Sequence, residues 1–319
     1  MFQTEPILWL QAMQSDSLTF FMRAVSLIVD DTVFLVLGLV IFFGFDHRKG
    51  YTVLFTLLWV ALLTAASKAC LALPRPSDVD TRVLLLETGV PNSTPFFAQG
   101  AASLFGLPSS DVISAVRGMH SPDFGLPSGH CSSTVAFWGT LAYLIRKKWI
   151  FGTAICLSLI MPFSRMYLGR HFLGDTIGGL MLGAIALLCL VTVMRRLHKT
   201  PPSPTTSLRS TALRALVLIV LPVLPLFFTP TRPFAATLLA FGLIFFATGN
   251  LRVYDGNRTL LSRALLTAFA IALVGILQTV LAGILPKSIA YGLVIVSVFG
   301  TTGIAMGLLA ARNQLKQSS

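Results

Sequence analysis

Charge is scarce in this sequence. Of its 319 residues 11% are charged and 55% are hydrophobic, where a soluble domain carries roughly a quarter charged residues. Acids are the scarcer sign, with 12 Asp and Glu against 24 Lys and Arg. Cysteine is rare too. Cys70, Cys131, Cys156 and Cys189 lie in or at the ends of apolar runs without paired metal-ligand spacing, so they read as small apolar core residues. No carboxylate cluster of the kind that holds Mg²⁺ or Zn²⁺ stands out, and no cofactor is expected. The N-terminus lacks a signal-peptide pattern, because Glu5 and Asp16 interrupt it and no basic stretch precedes its apolar part.

What is abundant is apolar sequence in long runs. A membrane span needs roughly 20 mostly apolar residues, and its backbone polar groups must be satisfied internally, which favours helices. The expected fold class is all-α, a polytopic transmembrane helical bundle. About nine spans are placed near Thr32–Phe45, Tyr51–Leu73, His130–Ile145, Trp149–Phe163, Phe172–Met194, Ala212–Thr229, Phe234–Gly249, Ala264–Leu285 and Ser288–Ala310. The mixed first thirty residues suit an interfacial helix or a polar tenth span. The stretch between Arg75 and His130 is too polar to span and reads as a loop with one or two short amphipathic helices. The Pro/Ser/Thr-rich segment RRLHKTPPSPTTSLRS divides the chain into a catalytic bundle, 1–194, a cytoplasmic linker, 195–210, and a four-helix transmembrane extension, 211–319.

The net charge of +12 invites a nucleic-acid reading, but its distribution removes it. One side of the spans, from Arg48 to Lys316, holds 15 of the 24 basic residues, opposed there by Asp46 and Asp255 alone. On the other side eight cations face eight acids. The first side is therefore cytoplasmic. The second is periplasmic in a bacterial inner membrane or, alternatively, lumenal in the endoplasmic reticulum.

Three polar segments end spans on that outer face. KACLALPRP carries Lys68 and Arg75. GLPSGH carries Ser128, Gly129 and His130. SRMYLGRHFLGD crowds Arg165, Arg170, His171 and Asp175 into twelve residues. Guanidinium forks suit phosphate oxygens, and fixed cations stabilise the charge of a phosphoryl transition state. Ser128 and Gly129 stand where a helix N-terminus presents free N–H groups. His171 and Asp175, four apart, share a helix face, so the carboxylate can fix the imidazole tautomer for nucleophilic attack. His130 is a second imidazole, suited to protonating a leaving oxygen. The pattern is that of a phosphoryl-transfer site built without metal.

Lysine, six residues, Arg-Pro; Pro-Ser-Gly-His; then Ser-Arg, five residues, His, three residues, Asp: this three-part arrangement resembles the signature of the type 2 phosphatidic acid phosphatase superfamily, over roughly Tyr51 to Met194. The resemblance implies that His171 attacks phosphorus and is transiently phosphorylated, that Asp175 orients it, and that His130 protonates the leaving group. It also implies that Lys68, Arg75, Ser128, Gly129 and Arg165 hold the phosphate, and that no metal takes part. VDTRV through DFGLPSGH to AFWG loosely resembles sphingosine-phosphate-phosphatase-like members. The expected partners are a lipid phosphate or diphosphate substrate and membrane lipids, with no nucleic acid.

Several readings stay open. A phosphotransferase would share every catalytic residue. A glucose-6-phosphatase-like enzyme would take a soluble substrate, and a lipid-phosphate transporter would keep the cations without needing His171. The C-terminal spans could serve homodimerisation, lipid access or packing. Arg82, Arg117, Arg170, Arg232 and Lys287 read as snorkelling anchors, and His47, His120 and His198 as structural. Asp123 and Glu87 read either as lining the pocket mouth or as a solvated loop face. Gly174, Gly178, Gly179 and Gly183 follow the small-xxx-small pattern of close helix packing.

Overall fold

The computed structural model describes residues 1–119, 123–199, 208–247 and 259–282, together with 284, 298, 300 and 302. Among these residues every regular element is helical. In chain order they are α1 (Glu5–Ala12), α2 (Asp16–Leu27), α3 (Asp31–Leu39, running into a π-helical turn at Val40–Phe45), α4 (His47–Leu71), α5 (Pro76–Val79), α6 (Ser110–Arg117), α7 (Gly129–Ile145), α8 (Lys148–Tyr167), α9 (Leu173–Lys199), α10 (Leu208–Ala215), α11 (Leu221–Val223), α12 (Arg232–Ala247) and α13 (Leu260–Ala282).

Five stretches are long and apolar enough to cross a bilayer: His47–Val79, Lys148–Tyr167, Leu173–Met194, Thr229–Phe246 and Leu260–Leu281. A sixth results if Asp16–Leu27 and Thr32–Phe45, bent by 51°, are one broken span. The described residues thus carry five or six candidate spans rather than about nine. Part of the difference is length, since α7 has 17 residues and Thr211–Phe227 is a shorter apolar helix. The expected span at Ser288–Ala310, apart from three positions, lies outside the described residues, as do residues 200–207 of the linker and His120. The single N-terminal helix expected from sequence is two. Ser15 starts a new one, its Oγ accepting from Leu18 N at 3.2 Å, the usual role of an N-cap serine.

Exposure marks the surroundings as apolar. Phe151, Ile155, Leu159 and Phe163 follow one another at four-residue spacing along α8 and are all exposed. Met181, Ile185 and Leu188, spaced by four and three residues on α9, are exposed too. Large apolar stripes open to the outside are disfavoured in water and normal against lipid, so the chain is an integral membrane protein. This also corrects the cysteine reading. Cys131 is buried, whereas Cys70, Cys156 and Cys189 are exposed, because an apolar face in a membrane helix need not face a core.

The chain divides into two compact units, one of Met1–Phe34 with Leu63–Leu188, the other of Leu35–Leu62 with Cys189–Ser319. The second has an aromatic core: Tyr51 packs against Phe55, Phe241 and Phe245 at centroid distances of 5.3–5.9 Å, and its hydroxyl donates to Phe241 O at 2.9 Å. The first unit carries all three polar segments. In it α8 packs on α1, α2 and α7. Helix α9 lies close to α7 because its glycines leave room. A Cβ at Gly179 would stand 2.4 Å from Ser128 O, and one at Gly183 2.6 Å from Ser132 O. Thr64 Oγ1 meets Ser132 Oγ at 3.0 Å, tying the end of α4 to α7.

Candidate active site

Each polar segment is shaped by its own sequence. Helix α4 stops where Ala72 turns left-handed (φ 49°). Its last carbonyls are capped by Arg117, whose Nε and Nη2 donate to Ala72 O at 3.1 Å and Leu71 O at 3.0 Å. That is a helix-terminal cap rather than the snorkelling anchor expected of Arg117. Two prolines then bracket Arg75. A residue before proline is held extended, and Arg75 has φ −87°, ψ 165° as the N-cap of α5. Its N–H donates to Asp78 Oδ2 at 2.7 Å, and its side chain turns inward and is buried.

Helix α8 carries Arg165 in its last turn. Gly169 makes the turn to α9 with φ 76°, and a Cβ there would meet Leu84 O at 2.2 Å, so only glycine fits. His171 follows, two residues ahead of α9. The expectation that His171 and Asp175 share a helix face is therefore corrected, because His171 precedes the helix, and the two side chains meet by another route. Asp175, in the first turn, reaches back in the manner of half a capping box. Its Oδ2 accepts from Phe172 N at 3.0 Å and lies 3.3 Å from His171 Nδ1.

Asp175 is also where the segments meet. Its carbonyl accepts from Ser128 N at 2.9 Å. Gly125, whose N–H donates to Leu73 O at 2.8 Å, packs so closely that a Cβ would stand 2.7 Å from Asp175 Oδ2. Helix α7 opens at Ser128-Gly129. Unlike an ordinary N-cap serine, Ser128 makes no side-chain cap. Its buried Oγ lies near the Cys131 thiol without a hydrogen bond of regular geometry. A Cβ on Gly129 would meet nothing nearer than Thr64 Cγ2 at 3.8 Å. No protein packing demands glycine there, and a ligand could approach the main chain.

The cations converge on this junction. The charges that act on His171 are those of Arg75, Arg165, Lys68 and His130. Burial, reinforced by Arg75, Arg165 and Lys68, pushes the His171 imidazole well below its ordinary pKa and keeps it neutral. Arg165 is buried; its Nη1 donates to Ser26 Oγ at 2.5 Å and Glu87 Oε1 at 2.6 Å. Arg75 Nε donates to Asp123 O at 2.9 Å, and its Nη2 to Asp123 Oδ1 at 2.5 Å. Lys68 Nζ is 4.0 Å from the same oxygen. Arg75 Nη1 and Arg165 Nε are buried without a hydrogen-bond partner in the protein. Burial raises the Glu87 carboxyl, but the charge and hydrogen bond of Arg165, with Arg170, outweigh it and leave it below the ordinary glutamate value.

All eight predicted site residues thus lie in one unit around one junction. Sequence reasoning missed Ser26, and it left Glu87 and Asp123 undecided. Arg170 is no lipid anchor: its Nε is 3.0 Å from Glu87 Oε2 and its Nη2 3.4 Å from Asp123 Oδ2. Arg82 instead pairs with buried Asp80 at 2.6 Å and lies over the Phe97 ring at 4.7 Å. Arg232 donates to Leu226 O at 3.0 Å. Among the described residues no three His, Cys, Asp or Glu side chains converge as metal ligands; the donor set is cationic.

Fold and site together define a helical membrane protein with a carboxylate–imidazole pair set among buried cations. Residues 49–199 match the model of the PAP2 superfamily, and this part of the chain belongs to that superfamily. The chain is also 30% identical over 76 residues to a lipid A 4'-phosphatase of Bacteroides thetaiotaomicron, covering 24% of this chain and 34% of that protein. It is 30% identical over 76 residues to phosphatidylglycerophosphatase B of Bacillus subtilis, covering 21% of this chain and 37% of that protein. These matches span about a third of the length of the curated relatives. No solved structure matches.

Proposed function

We propose that this protein is a membrane phosphatase that hydrolyses lipid phosphate or diphosphate monoesters through a phosphohistidine, without a metal. The observation that carries the reading is the buried His171–Asp175 pair at 3.3 Å, placed among Lys68, Arg75 and Arg165 with N–H groups of both arginines unused. Family membership and relatives named for lipid phosphates support lipid as the substrate class.

With Nδ1 donating to Asp175, the lone pair of His171 Nε2 is free to attack phosphorus. The N–P bond forms as the ester P–O bond breaks, and the leaving oxygen takes a proton from His130. Water then attacks the phosphohistidine, giving its proton to His130; the N–P bond breaks and inorganic phosphate departs. Lys68, Arg75, Arg165, the Ser128 hydroxyl and the Gly129 N–H hold the phosphoryl oxygens throughout. Residues 1–194 form the catalytic bundle, with the site on the periplasmic or lumenal face, and residues 211–319 are an extension of it.

The test is phosphate release by purified protein in detergent with EDTA, across a panel of lipid phosphates, for wild type and His171→Ala. Release that survives EDTA and disappears in the variant is expected. Release that needs an added divalent ion, or persists in His171→Ala, overturns the mechanism.

A further inference from the structure

The cations of the site already face two loop carboxylates. Asp123 Oδ1 lies 2.5 Å from Arg75 Nη2 and 4.0 Å from Lys68 Nζ. Glu87 Oε1 lies 2.6 Å from Arg165 Nη1. Arg170 joins them, with Nε 3.0 Å from Glu87 Oε2 and Nη2 3.4 Å from Asp123 Oδ2. A carboxylate oxygen on a guanidinium N–H occupies the same kind of position as a phosphate oxygen.

The two acids are held differently. The Glu87 side chain is 30% exposed, and it also accepts from Ser26 Oγ at 3.3 Å. The Asp123 side chain is 62% exposed, so water can take up its charge if it leaves. Its departure would not release Arg75, because Arg75 Nε is bonded to the main-chain oxygen of Asp123 rather than to its carboxylate.

We propose that Asp123 is a specificity-determining counter-ion of the phosphate site. It occupies Arg75 and Lys68 until a substrate phosphate displaces it, while Glu87 stays as the positioning partner of Arg165. This rests on the reading of Lys68, Arg75 and Arg165 as phosphate-binding. A monoanionic phosphodiester, the commonest headgroup charge at a membrane surface, would exchange with Asp123 charge for charge. A phosphomonoester dianion brings twice the charge to the same cations and gains on the exchange. Arg170, bridging both acids, keeps the displaced carboxylate close enough to return when product leaves.

The experiment is calorimetric titration of inorganic phosphate into the purified full-length protein in detergent, for wild type, Asp123→Asn and Arg75→Ala, each checked for monodispersity. Removing the competitor in Asp123→Asn is expected to tighten phosphate binding about fivefold, the scale of a half-exposed ion pair, and Asp123→Ser to do the same. Arg75→Ala is expected to lose binding. If Asp123→Asn and Asp123→Ser bind as wild type or more weakly while Arg75→Ala loses binding, the counter-ion role is overturned and the phosphate site stands. If Arg75→Ala binds like wild type, the phosphate-site reading itself fails.

Discussion

Gly125→Ala tests the site with a single added carbon. Its Cβ would stand 2.7 Å from Asp175 Oδ2 and 3.0 Å from Pro74 O. Carbon and oxygen not otherwise bonded approach to about 3.3 Å, so something must yield by roughly half an ångström. Pro74 is main chain, directly before a buried arginine that a second proline follows. The carboxylate is the softer side, but Oδ2 accepts from Phe172 N at 3.0 Å and holds His171 Nδ1 at 3.3 Å. The imidazole bond is already the longer, and a shift of that size takes it past any useful geometry. A hydrogen bond to a charged group contributes about 1.5–3 kcal/mol, which corresponds to about 10- to 150-fold in rate. We expect kcat for phosphate release to fall within that range. KM should change little, because no cation is touched. Overpacking should cost about 1–3 kcal/mol of stability, visible as a lower Tm in detergent. A folded Gly125→Ala protein with kcat within twofold of wild type would refute the claim that the His171–Asp175 contact drives turnover.

Two further outcomes follow from the same geometry. Gly179→Ala places a Cβ 2.4 Å from Ser128 O, a backbone atom at the start of α7; thermal unfolding should show a loss of several degrees, and an unchanged Tm would mean that α7 and α9 do not pack this closely. His171 should stay neutral where an ordinary imidazole, with pKa about 6.5, becomes charged. Burial and the surrounding cations depress its folded value, so as pH falls through about 6.5 the unfolded chain takes up a proton that the folded one refuses, and this group's contribution to stability declines with acidity. Imidazole ¹⁵N shifts of His171, identified by difference against His171→Ala, should remain those of the neutral ring from pH 8 to 5.5; a midpoint near 6.5 would refute the depressed value.

What could be read in the sequence was local. Apolar runs announced α4, α8, α9, α12 and α13, because a helix in lipid needs little beyond length and hydropathy. The three polar segments were legible because each is short and carries its chemistry within a dozen residues. The reading failed where a residue's partner is distant in the chain. Arg165 bonds to Ser26 across 139 positions and to Glu87 across 78, and no periodicity links them. Arg170 read as a snorkelling anchor because an arginine at a span end most often is one. Glu87 and Asp123, which decide otherwise, lie in the polar stretch where hydropathy has nothing to say.

The His171–Asp175 pair shows how a correct pairing can rest on a different geometry. Four-residue spacing implied a shared helix face, yet His171 precedes the helix and Asp175 meets it from the first turn while also capping Phe172 N–H. One carboxylate oxygen then serves two ends, closing the helix start and fixing the imidazole. Through Ser128 N and Gly125 the same residue touches the second segment, and through the Gly125–Leu73 bond it reaches the first. The motif's three parts are therefore not three independent contributions to a pocket. They are coupled through Asp175: its carboxylate meets Gly125 and His171, while its main-chain oxygen holds the start of α7. That coupling explains why a change at Gly125, which bears no functional group, is expected to act on the chemistry rather than on substrate binding.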